Sequence, residues 1–157
     1  MIELNNVMPE GQLQELKKGE MLTHNTQELF ANKKVVLFAV PGAFTPTCSI
    51  AHLPGYVVLA EEFKAKGVDV IICLSVNDAF VMNAWGESQN AENIMMLADG
   101  DGSYAEALGL SMDTASFGGN RSQRYAMIIE NGTLTSLGVE EGKAFEASKA
   151  ETVLAKL

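Results

Sequence analysis

Two short apolar runs constrain the fold of this chain more than any other feature. Val35–Val40 and Val68–Val76 are rich in β-branched residues and mostly apolar on both faces, which is typical of strands buried inside an α/β sheet. Between them, Tyr56–Lys66 carries apolar residues at helical spacing and is followed by Gly67, a common helix end. This order predicts a βαβ unit with two parallel strands and helices on both sides of the sheet.

The middle of the chain predicts three short elements. Asn77-Asp78 offers an N-cap for a helix that runs to about Ser88. Ile94–Leu97 is predicted to be a short strand and Ser103–Leu108 a brief helix. These elements continue the alternation of helix and strand that the βαβ unit begins.

The C-terminal part of the chain predicts an antiparallel hairpin and a last helix. Arg124–Glu130 and Thr133–Leu137 flank Asn131-Gly132, a dipeptide suited to the positive φ angles of a type I′ turn. Ala147–Leu157 closes the chain with an apolar helical face. The predicted sheet is therefore mixed, with a parallel unit first and an antiparallel pair later.

Size and charge exclude several classes of protein. The 157 residues, 47% of them apolar, fit one globular domain over residues 1–157. A formal net charge of −9 would repel a phosphate backbone, so we expect no nucleic-acid partner. The N-terminus lacks a secretory signal, and Pro41-Gly42 interrupts the longest apolar stretch, so we expect no membrane segment.

The cysteines and histidines are few. Cys48 and Cys73 are too few for a disulfide framework and fit no CxxC pattern, which favours a reducing, cytoplasmic location. With only His24 and His52 besides them, the sequence predicts no metal site and indicates no cofactor.

The segment after the first buried strand carries the chemistry. It begins at Pro41-Gly42 and continues to Ser49. Thr45 is predicted to cap a helix, with Pro46 at the first helical position and Cys48 in the first turn. Free backbone N–H groups and the helix dipole would then favour the thiolate form of the cysteine.

The alternative is that Cys48 is an ordinary buried cysteine, since unpaired cysteines often pack as small apolar residues. A loop with two prolines and a glycine is an unusual approach to a fully buried core position. A helix start at the carboxyl end of a strand is also where open α/β sheets place their active sites. We therefore expect a reactive Cys48.

These residues resemble a known family. Pro41–Ser49 is similar to the Pro-x-x-x-Thr-x-x-Cys signature of peroxiredoxins, and with Ala51–Tyr56 it resembles the type-5 subfamily, which includes the plant type-II enzymes. Further matches are Cys73–Asp78, Met82–Trp85, Phe117–Arg121 and Arg124-Tyr125. The resemblance implies an α/β, thioredoxin-like fold in which helices flank both faces of a mixed central sheet.

The resemblance also implies a thiol-dependent peroxidase that reduces hydrogen peroxide and small organic hydroperoxides through a cysteine sulfenic acid. Cys48 would be the peroxidatic cysteine, Thr45 would offer its hydroxyl to the sulfur and the peroxide, and Pro41 would cover the thiolate. Arg124 would hold the thiolate and polarise the peroxide. Arg121 competes for this role, but Arg124 directly precedes an aromatic residue and a strand, as the family pattern requires.

The position of Cys73 bears on how oxidised Cys48 would be reduced again. Cys73 lies inside an apolar strand, where burial raises a thiol pKa and blocks access, so we expect a structural role. Two-cysteine members of the subfamily carry their resolving cysteine near the C-terminus, where this chain has Phe145–Ser148. The resemblance therefore implies a one-cysteine enzyme regenerated by an external thiol, with glutathione, glutaredoxin and thioredoxin as the open alternatives.

Other residues are open to two interpretations. His52 lies four residues after Cys48, where it could orient the site or simply pack, and we leave it outside the predicted catalytic set. Phe44, Phe80 and Phe117 could be core residues, but they match the family's dimer contact, so a homodimer is expected.

Two rival functions remain at this point. A thioredoxin-type thiol–disulfide exchanger would need a second cysteine close to Cys48, and none is present. A non-enzymatic peroxide sensor, in which Cys48 oxidation alters a partner contact, differs from a peroxidase only in turnover.

Overall fold

Seven strands form one mixed sheet, and the two apolar runs lie at its centre. The computed structural model describes residues 1–157. The strands are β1 (Gln12–Lys17), β2 (Glu20–Asn25), β3 (Lys34–Val40), β4 (Val70–Ser75), β5 (Met95–Ala98), β6 (Ser111–Asp113), β7 (Asn120–Ser122), β8 (Tyr125–Glu130) and β9 (Thr133–Val139). The α-helices are α1 (Thr26–Phe30), α2 (Leu53–Ala65), α3 (Ala79–Ser88), α4 (Ser103–Leu108) and α5 (Ala150–Leu154).

The predicted βαβ unit is present, with α2 between two parallel strands. β3 pairs in parallel with β4, which pairs in parallel with β5, while β8 runs antiparallel to β3. The complete order is β2-β1-β5-β4-β3-β8-β9, and β6 and β7 form a separate two-stranded sheet. The mixed sheet is therefore confirmed.

Alternate residues of the central strands supply two cores. On β3, Val36, Phe38 and Val40 pack with residues of α2, α3 and α5, whereas the intervening side chains pack with α1 and α4 on the other face. Because successive side chains of a strand point to opposite faces, a strand that is apolar throughout requires helices on both sides. That arrangement confirms the predicted fold class.

The β8–β9 hairpin turns as the sequence predicts. Asn131 and Gly132 have φ angles of 48° and 79°, the positive values that a type I′ turn requires. β9 continues two residues past the predicted end at Leu137, to Val139. Glu140 follows directly, and its backbone N–H donates to the carbonyl oxygen of Arg124 at 2.9 Å.

An N-terminal hairpin, β1–β2, was not expected from the sequence. Its turn has positive φ at Lys18 (52°) and Gly19 (78°). Leu13 is the only residue of the two strands that is buried, so the hairpin lacks the apolar alternation that indicates a strand. β1 joins the sheet at β5, where Gln14 lies opposite Ala98.

The last helix is shorter than the predicted range Ala147–Leu157. The backbone N–H groups of Ala147 and Ser148 donate to the carboxylate of Glu140, at 3.1 and 2.8 Å, instead of taking part in a helix. α5 therefore begins at Ala150. None of the helices is both long enough and apolar enough to span a bilayer.

Candidate active site

Cys48 opens a π-helical turn between the loop after β3 and helix α2. This turn spans Cys48–His52, and the backbone N–H of Leu53 donates to the carbonyl oxygen of Cys48, five residues earlier. Pro54 is the second residue of α2, which continues this turn without a break, and it has no N–H to donate to the preceding turn. The wider turn thus places a cysteine and a histidine at the carboxyl end of the central strand. Such π-turns frequently occur at functional sites.

Polar contacts with the end of β4 hold the loop that precedes the cysteine. The Ala43 N–H donates to Asn77 Oδ1 at 3.0 Å, and the Ser75 hydroxyl contacts the same oxygen at 2.7 Å. The Ser75 hydroxyl also lies 3.1 Å from the carbonyl oxygen of Val40. Phe44 has a φ of 64°, an uncommon value for a bulky residue, and its ring is 57% exposed. The loop is thereby fixed in a conformation that turns an aromatic ring outward.

Arg124 reaches the cysteine from the start of β8. Its Nη2 donates to Cys48 Sγ at 3.0 Å, and its Nη1 donates to His52 Nδ1 at 2.8 Å. The planar guanidinium therefore bridges the two ends of the π-helical turn. An arginine in this position stabilises a thiolate and can donate hydrogen bonds to a bound oxygen atom.

His52 is buried and neutral. Desolvation, together with the nearby charge of Arg124, lowers the pKa of His52 from 6.5 to about 3. Its Nε2 lies 3.0 Å from the carbonyl oxygen of Ser148, so the proton sits on Nε2 and Nδ1 accepts from Arg124. No carboxylate lies within 4.0 Å of the guanidinium. The arginine thus keeps its full charge for the sulfur.

Cys48 is fully buried in the chain, contrary to the argument that its loop approach makes such burial unusual. The π-helical turn folds the sulfur inward, where it joins the apolar cluster that contains Phe38 and Leu53. The backbone N–H groups of Thr47 and Cys48 have no acceptor in the chain. Those groups remain available to negative charge at the helix start.

The Thr45 hydroxyl does not cap the helix. It donates to the carbonyl oxygen of Gly42 at 2.6 Å, and only the Thr45 carbonyl takes the capping position, accepting from the Ser49 N–H at 2.9 Å. No hydrogen bond joins this hydroxyl to the sulfur of Cys48. Its lone pairs remain free to accept, so it can receive a hydrogen bond from a hydroperoxide.

A cleft of about 530 Å³ opens beside the cysteine. The residues that line it include Pro41, Thr47, Phe117, Arg124, Glu140 and Lys143. The sulfur itself does not line the cleft. The structure thus brings Pro41 and Arg124 together at the opening that leads towards Cys48.

Arg121 lies in a different environment. Its Nη1 donates to the carbonyl oxygen of Val76 at 2.8 Å, and its Nε donates to that of Gly118 at 3.1 Å. It therefore ties the loop around Phe117 to the end of β4. Of the two candidate arginines, only Arg124 contacts the cysteine.

Cys73 is fully buried in β4, opposite Phe38 on one neighbouring strand and Met96 on the other. Burial, with a smaller contribution from Cys48, raises the pKa of its thiol well above the ordinary value. Both cysteines are free. In addition, no cluster of three or more His, Cys, Asp or Glu side chains could hold a metal ion.

A thioredoxin-like sheet with a cysteine at a helix start and an arginine on its sulfur defines the class of thiol-dependent peroxidases. The Redoxin family model matches residues 3–154. Peroxiredoxin-2D of Arabidopsis thaliana is 45% identical over 159 residues, which cover 99% of this chain and 98% of that protein. The chain therefore belongs to the Redoxin family and is a peroxiredoxin.

Solved structures agree with this assignment. Reduced Prx3 from Vibrio vulnificus in complex with H₂O₂ is 66% identical, with a TM-score of 0.98 and 99% of both chains covered. Peroxiredoxin 5 from Alvinella pompejana is 33% identical, with a TM-score of 0.86 over 99% of this chain and 97% of its own. The chain thus shares sequence with plant peroxiredoxins, and both sequence and fold with peroxiredoxin 5.

Sequence reasoning left several buried polar groups outside the site. His52 contacts Arg124 directly, and its position four residues after Cys48 was the available signal. Glu140 and Ser148 lie far from the motif in sequence and carry no local signal. Only the tertiary fold brings them to the histidine.

Proposed function

We propose that this peroxiredoxin reduces hydrogen peroxide and small organic hydroperoxides by a one-cysteine mechanism. The observation that carries the proposal is the 3.0 Å hydrogen bond from Arg124 Nη2 to Cys48 Sγ. The complex of the Vibrio vulnificus relative with H₂O₂ supports this peroxide as a substrate. The second cysteine is buried, which supports regeneration by an external thiol.

The proposed chemistry begins with the Cys48 thiolate. The sulfur attacks the terminal oxygen of the hydroperoxide, and an S–O bond forms as the O–O bond breaks. The leaving hydroxide or alkoxide takes up a proton, and Cys48 becomes a sulfenic acid. An external thiol then condenses with the sulfenic acid, releases water and leaves a mixed disulfide. A second thiol finally frees Cys48.

The roles of the other site residues follow from their positions. Arg124 donates to the sulfur and to the oxygen that gains negative charge, an interaction that strengthens in the transition state. The Thr45 hydroxyl accepts from the incoming peroxide, since its own proton is held by the Gly42 carbonyl oxygen. Pro41, which lines the same cleft as Arg124, shields the thiolate from water.

The experiment is peroxide consumption with glutathione and glutaredoxin, comparing the unaltered protein with Cys48→Ser and Cys73→Ser. Turnover should be lost only in Cys48→Ser. Thioredoxin with its reductase replaces the first couple in a parallel assay, because all three thiol donors remain candidates. If Cys73→Ser is also inactive while folded, a two-cysteine mechanism replaces this proposal.

A peroxide sensor is the second candidate function, favoured by the full burial of Cys48 in the resting chain. A sensor is oxidised once per signal, whereas a peroxidase cycles with its reductant. Absence of turnover with every thiol donor, together with stoichiometric oxidation of Cys48, would favour the sensor.

We also propose a homodimer formed through the face that carries Phe44, Phe80 and Phe117. These rings are 57%, 63% and 68% exposed, and large exposed apolar patches mark interaction sites. Cytoplasmic location and a single domain over residues 1–157 stay predictions. The presence of only two cysteines, which form no CxxC pair, supports the location.

A further inference from the structure

Glu140 presents a buried carboxylate that the proposed reaction does not use. The residue follows β9 and is only 8% exposed. Its Oε2 accepts from the backbone N–H groups of Glu146 (2.9 Å) and Ser148 (2.8 Å) and from the Ser148 hydroxyl (2.6 Å). Its Oε1 accepts from the Ala147 N–H at 3.1 Å. The carboxylate thus fixes three consecutive residues of the main chain.

No cation competes for this carboxylate, because no Lys, Arg or His nitrogen lies within 4.0 Å of it. Burial alone would favour the neutral acid, yet the hydrogen bonds from Ser148, Glu146 and Ala147 outweigh it and lower the pKa of Glu140. The group is therefore ionised at neutral pH and acts as an anchor for the main chain.

The segment of residues 146–148 places one carbonyl group, that of Ser148, beside His52. The Ser148 carbonyl oxygen accepts from Tyr56 Oη at 2.7 Å and from His52 Nε2 at 3.0 Å. This contact keeps the proton of His52 on Nε2 and leaves Nδ1 free to accept from Arg124. The orientation of the guanidinium over Cys48 therefore depends on where the Ser148 carbonyl is held.

We propose that Glu140 is a positioning residue for the Arg124–Cys48 pair, acting through the main chain of residues 146–148 and through His52. The inference rests on the proposed function of Cys48 and Arg124. Glu140 contacts neither sulfur nor guanidinium with its side chain. Its effect is therefore transmitted by two hydrogen bonds of fixed direction: His52 Nε2 donates to the Ser148 carbonyl oxygen, and Arg124 Nη1 donates to His52 Nδ1.

Replacement of the Glu140 carboxylate by an amide weakens the hydrogen bonds to the main chain without changing the size of the side chain. Glu140→Gln keeps the volume, but its NH₂ group cannot accept from backbone N–H groups, so part of the anchor is lost. Glu141→Gln is the matched control, since it makes the same charge change at the exposed neighbouring residue. Two properties are measured: the rate constant for Cys48 oxidation by H₂O₂ in a single turnover, and the ultraviolet titration of the Cys48 thiolate.

Glu140→Gln should lower the oxidation rate constant about tenfold or more and move the thiolate titration to higher pH, because a displaced guanidinium stabilises thiolate and transition state less well. Glu141→Gln should change neither. A rate and a titration in Glu140→Gln equal to those of the unaltered protein would overturn the inference. So would a loss of thermal stability with both readouts unchanged.

A double-mutant cycle tests the route through His52. His52→Phe removes the acceptor for Arg124, so adding Glu140→Gln to it should cost much less than Glu140→Gln alone. Additive losses would overturn the route. If Glu140→Gln does not fold, Ser148→Ala removes one of the four hydrogen bonds and should produce a smaller change of the same sign. The thiolate titration does not depend on turnover, so failure of the proposed function remains distinguishable from failure of this inference.

Discussion

A single guanidinium connects the two polar ends of the π-helical turn. Arg124 Nη2 donates to Cys48 Sγ at 3.0 Å, and Arg124 Nη1 donates to His52 Nδ1 at 2.8 Å. A neutral histidine orients the arginine without offsetting its charge, whereas a carboxylate in the same place would reduce the field at the sulfur. The site therefore combines fixed geometry with an undiminished positive charge.

The two arginines near the site should respond differently to the same substitution. Arg124→Lys loses the planar fork that reaches sulfur and histidine together, so kcat/KM for H₂O₂ should fall by about 100-fold or more. Arg121→Lys alters only contacts with the carbonyl oxygens of Val76 and Gly118, so kcat/KM should stay within about threefold. Steady-state peroxidase assays distinguish them. Equal losses of kcat/KM in both variants would contradict the role assigned to Arg124.

The buried histidine predicts a pH dependence of stability. Its pKa in the folded chain is about 3 against an ordinary 6.5, so between these values the unfolded chain binds a proton that the folded chain does not. The free energy of unfolding should therefore fall by about 2 kcal/mol more in the unaltered protein than in His52→Phe between about pH 7 and about pH 5. Urea unfolding at both pH values measures this.

The stabilising contribution of Glu140 occupies a lower window. Its pKa is depressed from 4.5, so its contribution is present above that value and is lost as the pH falls further. Above pH 4.5 the two groups can therefore be separated. If the free energy of unfolding has the same pH slope there in His52→Phe and in the unaltered protein, His52 is not a buried neutral histidine.

The proposed catalytic set was predictable from the sequence where a motif carries its residues. Cys48, Thr45 and Pro41 belong to one continuous motif, and Arg124 was preferred to Arg121 because it precedes an aromatic residue and a strand. The hydroxyl of Thr45 was placed wrongly, because a carbonyl three residues earlier competes successfully for its proton. Glu140 acts through long-range main-chain contacts, which no local pattern reveals.

Elements were predictable in proportion to their burial. β3 and β4 are apolar on both faces and were found, and the β8–β9 hairpin was found from its Asn-Gly turn. β1 and β2 lie at one end of the sheet with mostly polar residues, so neither periodicity nor composition distinguished them from a loop. Similarly, α5 begins late because a distant carboxylate takes the N–H groups that would have extended it.

The hairpin turn offers a test at the scale of an element. Gly132 has a φ of 79° with open space around the position of a Cβ atom, so Gly132→Ala should lower the free energy of unfolding by about 1 kcal/mol through backbone strain alone. Gly100→Ala is the control, since no positive φ is found there and its nearest neighbour would lie at 4.0 Å. Both should keep full peroxidase activity. An unchanged stability of Gly132→Ala would refute the type I′ assignment.

On the scale of the whole molecule, exposed aromatic rings lie near the active site. The net charge of −9 opposes non-specific association between molecules. Phe44 belongs to the loop before Cys48 and Phe117 lines the cleft beside it. A dimer through this face would therefore lie close to both loops that shape the active site.

A charge placed on this face should separate the subunits. Phe80→Glu should shift the mass in solution from dimer to monomer, because burial of an unpaired carboxylate is unfavourable. Val7→Glu is the control, since Val7 is 73% exposed and bridges to Thr133, beside the hairpin turn at the other end of β8. Light scattering after size-exclusion chromatography reads out both. A dimer that persists in Phe80→Glu, or an unaltered protein that is monomeric, would contradict the proposed interface.

We propose that Cys48 alone carries the oxidised state. The most direct measurement is intact-protein mass spectrometry with peptide mapping, after treatment with one equivalent of H₂O₂ in the presence of a sulfenic-acid trap. We expect one trap adduct on Cys48 and an unmodified Cys73. A Cys48–Cys73 disulfide, or an adduct on Cys73, would contradict it.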